Sequence, residues 1–331
     1  RDVVRSDSSP QVLALAYGAG SLVVVRRGGA VYELRPDGQG QSPVHQFTRE
    51  ESAGLLGRAT ISPDGRHVGV CRDKKPRRQV EVIDLDAPGA EPAVVEAGGF
   101  DIDEIAITDG RRVYLAGTAD KVRGVESALA PGPGAKAIAR KENPPGQGLQ
   151  AGDFHVLRVI APDSVVMTRS SLTIYSGPGS EPVDGAPDVD AAPGLLAAPM
   201  AQRIFSVWGP ASDRSRGSVP WDLRVHMAHE DLLARRFLEA EPLALAAWPD
   251  GSRAVLAMPV GGRNDRVDLR IHHLRESGSR VELGTGARVP LDGLALSFLP
   301  EVRLLAVSPD GEESAAATRA GAVYTIPVPV P

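Results

Sequence analysis

Short apolar runs broken by Gly, Pro and Asp cover the chain, and no run keeps a convincing helical period. Val12-Leu13-Ala14-Leu15-Ala16-Tyr17, Leu22 to Val25 and Val31 to Leu34 mix apolar with small residues and stop at polar or Gly positions. That pattern predicts strands. The best helical spacing lies at Glu230 to Ala240. Its place matches a third-to-fourth strand connection of a repeat, so it is read as strand.

One turn returns along the chain. Ile61-Ser62-Pro63-Asp64-Gly65 reappears as Val307-Ser308-Pro309-Asp310-Gly311 and as Ala247-Trp248-Pro249-Asp250-Gly251. Weaker copies stand at Ile107-Thr108-Asp109-Gly110 and Ile160-Ala161-Pro162-Asp163-Ser164. Pro presets φ at the second turn position, Asp bonds locally to the backbone, and Gly accepts a positive φ that side chains resist. Each copy predicts a tight reversal between the first and second strands of a unit.

The strands repeat as well. Trp221-Asp222-Leu223-Arg224-Val225-His226 is echoed by Val267-Asp268-Leu269-Arg270-Ile271-His272, and Gly29 to Leu34 by Gly321 to Ile326. A period in the middle forties with four short strands per unit predicts a β-propeller. The expected fold is all-β: a single seven-bladed propeller of four-stranded antiparallel blades. The blades are placed at about 10–50, 55–97, 101–142, 153–186, 193–240, 242–286 and 290–331. The last unit shows three clear strands before Pro327-Val328-Pro329-Val330-Pro331, so residues 2–5 are expected to complete it and close the ring.

The Ser-Pro-Asp-Gly turn followed by a small-apolar strand such as Arg66-His67-Val68-Gly69-Val70 resembles the bacterial WD40-like repeats of TolB-type propellers. It also resembles, more loosely, the propeller domains of actinobacterial lipoproteins. The Gly-His and Trp-Asp dipeptides of eukaryotic-type WD40 repeats are missing. The resemblance implies a bacterial binding platform or scaffold and carries no catalytic residues to transfer.

Composition narrows the function classes. The 331 residues include 36 Gly and 28 Pro, high for a helical protein. Net charge is −5, which does not favour nucleic acid. Cys71 is the only cysteine, which excludes an intrachain disulfide and reads as a small buried hydrophobe. No apolar run reaches the ~20 residues that cross a bilayer. The first residue is Arg1, read as the start of a processed form or an excised domain, so the compartment stays open between extracytoplasmic and cytoplasmic.

Candidate chemistry falls on the loops. Second-to-third strand connections carry cations in every unit: Arg26-Arg27, Lys74-Lys75-Pro76-Arg77-Arg78, Lys121 with Arg123, Arg169, Arg214 with Arg216, Arg263 with Arg266, and Arg319. Such a circle suits another protein or an acidic or phosphorylated peptide. Acidic residues on the fourth-to-first connections, Asp101, Asp103 and Glu104 among them, oppose it. Trp221 beside the Arg214–Arg216 loop adds an aromatic–Arg pairing typical of interface hot spots. The expected partner-binding set is therefore Lys74, Lys75, Arg77, Arg78, Arg214, Arg216, Trp221, Arg263 and Arg266.

No cofactor or metal is expected. His226 and His229 diverge on a strand, and His226 with His272 gives too few ligands for zinc. No nucleophile elbow or phosphate loop is present. Two readings follow: a non-catalytic propeller that binds another protein as a module of a larger assembly or as a sensor, and a propeller enzyme of lactonase, lyase or glycoside-processing type with a central-channel site. Innermost strands such as Ala59 to Ile61 and Leu243 to Ala247 are mostly apolar or small, which favours the first.

Overall fold

The structure is a computed structural model that describes residues 2–3, 11–18, 20–35, 42–47, 55–99, 101–119, 122–141, 156–160, 163–167, 172–175, 180–182, 191–197, 203–210, 220–227, 232–278, 280–291, 294 and 296–328. All regular elements of any length are strands, including Leu232–Phe237 in the segment with helical spacing. Contacts divide the chain into two compact units. One holds Val4–Val166 and Tyr175–Glu181; the other holds Arg1–Val3, Met167–Ile174 and Pro182–Pro331.

In the unit built from Val4–Val166, three sheets follow one another. The first orders Val12–Tyr17, Leu22–Arg26, Ala30–Leu34 and His45–Gln46; the second Leu56–Ile61, His67–Arg72, Gln79–Asp84 and Ala93–Glu96; the third Asp101–Ile107, Arg112–Ala119, Val122–Leu129 and Arg140–Lys141. Each is antiparallel with neighbours in sequence order, as short turns require. Successive sheets bury apolar faces on one another. Val23, Val25 and Phe47 pack with Leu56, Val68 and Val70, and Cys71, Val80 and Val95 pack with Ile102, Ile105 and Leu115. Middle strands buried on both faces explain continuous runs such as Leu22-Val23-Val24-Val25, all 2% exposed or less.

One strand departs from the sequence reading. Lys136–Ile138 falls in the third repeat, yet it pairs in parallel with Ala93–Glu96 of the second sheet, Ala137 opposite Val95. The chain then returns to its own sheet, where Arg140 pairs with Ser127. The strand Ala93–Glu96 would otherwise expose a row of main-chain donors and acceptors. Ala135 and Ala139 help cover that edge: Val94 N donates to Ala135 O and Ala139 N to Glu96 O.

The unit holding Pro182–Pro331 repeats the scheme. Its sheets order Ala191–Ala197, Arg203–Pro210, Asp222–Met227 and Leu232–Phe237; then Ala244–Ala247, Arg253–Val260, Arg263–Ser277 and Arg280–Leu283; then Val302–Val307, Glu313–Thr318 and Val323–Pro327. Asp2–Val3 joins the last of these antiparallel to Val323–Pro327, Asp2 opposite Tyr324. Val4 and Arg5 lie outside the described residues. The core includes one buried charge network. Asp222, 1% exposed, accepts from Arg224 Nε at 2.9 Å and from Arg235 Nε at 2.5 Å. The Arg224 guanidinium lies 4.2 Å from the Trp208 ring centre, and Trp208 Nε1 donates to Ser206 Oγ.

The recurring turn has one geometry. In four copies the fourth residue's N–H donates to the first residue's carbonyl at 2.9 Å: Gly65 to Ser62, Arg111 to Thr108, Gly251 to Trp248 and Gly311 to Ser308; Ala161 and Pro162 of the fifth lie outside the described residues. The fourth residue sits at φ +76°, +64°, +67° and +75° in turn. The copy at Thr108 thus places Arg111, not Gly110, in the left-handed region, where a side chain costs ~1–2 kcal/mol. The copies also dock on one another. Asp64 N donates to Asp109 Oδ1 at 2.9 Å, and Trp248 reaches Gly311.

Five first strands share a second device that the sequence did not reveal. The pairing slips by one residue at Leu13, Gly57, Asp103, Gly194 and Arg303. A bulge at this station bends the strand and re-aims the next side chain.

Candidate functional site

The loop between His67–Arg72 and Gln79–Asp84 carries four of the expected binding residues. An ionic lattice fixes it. Asp73 accepts from Arg27 Nη2 at 2.7 Å and Arg77 Nη2 at 3.1 Å. Asp101, from the next sheet, accepts the Arg77 N–H at 2.7 Å and lies 3.8 Å from Lys75 Nζ. Ile102 N donates back to Arg77 O. Gly57 makes the approach possible, because a side chain there would come 2.9 Å from the Asp73 Cα. Burial pushes the Asp73 carboxyl up, but hydrogen bonds from Arg77 and Arg27 outweigh it and hold the group below its ordinary value.

This lattice sorts the cations. Arg77 points inward, its side chain 11% exposed, and is held on Asp73. Lys74, Lys75 and Arg78 are exposed on a loop whose backbone is tied at both ends. Asp101, expected to oppose the basic loops, does so by direct contact.

The remaining expected residues belong to the other unit. Arg263 pairs with Asp265 through two hydrogen bonds, both side chains exposed. The Arg266 guanidinium lies 4.3 Å from the Phe298 ring centre, with Arg288 at 5.1 Å from the same ring. Trp221 is half-buried against Gly209, where a side chain would lie 2.2 Å from the indole. Arg214 and Arg216 lie outside the described residues.

A second group of charges was not read as a site. First strands carry Arg58, Glu104 and Arg158, on Leu56–Ile61, Asp101–Ile107 and Val156–Ile160. Arg58 and Glu104 each follow a bulge. Arg58 Nε donates to Asp103 O at 2.8 Å and Nη1 to Gly57 O at 3.0 Å, which fixes the guanidinium plane 3.8 Å from Glu104 Oε1. Thr118 Oγ1 donates to Asp103 Oδ2. Burial pushes the Glu104 carboxyl up against the opposing pull of Arg158 and Arg58. Burial likewise pushes Arg158 down, opposed by Glu104. Yet Arg158 touches solvent and the Glu104 side chain is 30% exposed. Glu104 is thus partly desolvated and still reachable from solvent. The available signal was a single Arg in each of two runs, Leu56–Ile61 and Val156–Ile160, while Glu104 stands beside Asp101 and Asp103 in Asp101–Ile107.

Of the histidines considered for metal, His229 lies outside the described residues. His226 is buried, and His272 Nδ1 lies 3.1 Å from Gly284 O, the place of an N–H donor. Among the described residues no three His, Cys, Asp or Glu side chains gather in a metal-holding group, and no helix is long and apolar enough to cross a membrane.

No protein-family model matches the chain, and no curated protein matches it. Solved structures match over nearly its full length. Hydrazine synthase from Kuenenia stuttgartiensis superimposes with a TM-score of 0.61 at 13% identity, covering 99% of this chain and 98% of the other. A chain of the mitotic checkpoint complex gives 0.61 at 11%, covering 98% and 91%. The C-terminal WD40 domain of Sif2 gives 0.57 at 12%, covering 97% and 82%. At these identities the likeness shows the fold alone: an all-β architecture of antiparallel sheets of the propeller, WD40-like kind.

Proposed function

We propose that the chain is a non-catalytic, seven-bladed β-propeller of TolB-like type that serves a larger bacterial assembly by binding another protein. Residues 1–331 form one domain in this reading, with Asp2–Val3 completing the final blade. WD40-like neighbours, one of them taken from a multi-protein complex, support an interaction role. The observation that carries the reading is the loop after Arg72. Its backbone is fixed by Asp73, Asp101 and Arg77, while Lys74, Lys75 and Arg78 face outward. A fixed loop presents charge to an acidic partner without first having to be ordered.

The test compares the wild-type chain with the triple variant Lys74→Glu/Lys75→Glu/Arg78→Glu, both immobilised, against native extract at low and high salt. The reading expects a protein held by wild type in a salt-sensitive way and lost from the variant. Equal recovery by both chains overturns it.

A further inference from the structure

We propose that Arg58, Glu104 and Arg158 form a binding site for a small oxyanion, a carboxylate or phosphate group, taken up together with one proton that Glu104 holds. Three observations lead there. First, Arg58 is fixed before any ligand arrives. Two of its nitrogens are locked on main-chain carbonyls, and the third, Nη2, has no hydrogen-bond partner among the described residues. A guanidinium with its plane fixed and one edge open suits an oxyanion.

Second, Glu104 is an acceptor without a donor among the described residues. Its only contact closer than 4 Å with a charged group among the described residues is Arg58 at 3.8 Å, beyond hydrogen-bond reach. A half-buried carboxylate in that state gains by protonation, and burial already pushes it that way. The proton turns an acceptor into an O–H donor.

Third, the charge balance changes sign at one residue. The charged groups acting on Glu104 are Arg58 from Leu56–Ile61, Arg158 from Val156–Ile160 and Asp103 from its own strand. The neighbouring strand Arg112–Ala119 contributes Thr118, which engages Asp103. With Glu104 protonated, the cluster holds two guanidiniums, one hydroxyl and a single remaining carboxylate, Asp103. An entering oxyanion then accepts from Arg58 Nη2, from Arg158 and from the Glu104 O–H. One proton comes from solvent, and no covalent bond other than that O–H forms or breaks.

Calorimetric titration of the whole chain with inorganic phosphate and, separately, with malonate tests this, run in two buffers of different ionisation heat. Whichever anion binds identifies the source of the oxyanion. The expected result is one proton taken up per anion, with affinity falling about tenfold per pH unit above the Glu104 titration. Glu104→Gln should bind with that pH dependence gone, and Arg58→Ala should bind at least about tenfold more weakly. Arg58→Lys, which keeps the charge and loses the fork, should also weaken binding, and it replaces Arg58→Ala if that variant does not fold. No binding of either anion overturns the proposal; so does unchanged pH dependence in Glu104→Gln, or full affinity in both Arg58 variants. The Lys74→Glu/Lys75→Glu/Arg78→Glu chain should bind the anion normally, so this site and the loop surface fail separately.

Discussion

The indole nitrogen of Trp248 donates to the carbonyl oxygen of Gly311 at 3.1 Å, joining the turn of one sheet to the turn of the next across 63 residues of chain. Two other copies of that turn have Ser in the place of Trp248. Ser62 and Ser308 bond within their own turns, to Asp64 and Asp310. Trp248 bonds outward instead and is 2% exposed. Trp248→Phe should therefore cost about 1–2 kcal/mol, the loss of one buried hydrogen bond. Trp248→Ser, though it restores the motif, should cost about 3–5 kcal/mol through the cavity left behind. Urea midpoints of the two variants give the order.

Positive φ and close approach can be separated by two glycines. Gly65 has φ +76° and a side chain there would lie 2.3 Å from the Gly18 Cα. Gly20 has φ +99° and open space around it. Gly20→Ala should show only the backbone penalty of ~1–2 kcal/mol. Gly65→Ala should exceed it clearly, because the first two sheets must part to admit a methyl group. Parallel thermal unfolding of both variants decides the point.

Asp222 is the hinge of a buried network, with Arg224 and Arg235 on its two oxygens. Asp222→Ala leaves Arg224, 5% exposed, without its counter-charge. The expected loss is about 3–5 kcal/mol. Arg235→Ala, at a side chain 38% exposed, should cost much less. A reversed order in denaturation would show that the pairings do not carry the stability.

The Asp73 lattice predicts a pH dependence with a definite sign. Burial raises this carboxyl, and the hydrogen bonds from Arg77 and Arg27 lower it by more, so its folded value lies below its unfolded one. Its contribution is full above the unfolded value, near pH 4, and fades as pH falls through the folded value. Asp73→Asn should therefore be less stable than wild type at neutral pH and converge with it in strong acid. Paired denaturation curves across that range test the convergence.

Cys71 is 1% exposed, and burial pushes its thiol up to about 12. Thiolate is the reactive form. The native chain should resist alkylation near pH 8 and react once denaturant opens the second sheet. Prompt labelling of the folded chain would contradict that burial.

What could be read in the sequence was local. A turn needs Pro, Asp and Gly at fixed offsets, so the reversals at Ser62, Trp248 and Ser308 were visible, as were the strands around them. What escaped were relations between distant segments. Nothing in Lys136-Ala137-Ile138 says that it lies beside Val95 rather than in its own sheet. Arg111 hides a left-handed backbone behind the more obvious Gly110. Arg77 looks like its neighbours Lys75 and Arg78 until Asp73 and Asp101 are placed around it. Arg58 was passed over because a charge within an apolar run has no meaning until the bulge beside it shows where it points, and Glu104 was read only as part of an acidic connection.

The borrowed strand Lys136–Ile138 limits how this array can be edited. Removing 101–141 as a cassette would strip the flank of the sheet before it as well. A duplicated copy would arrive with a strap and no flank to lie against. Neighbouring repeats linked in this manner are inherited as a couple, and shortening or lengthening the series at that junction takes two matched changes rather than one.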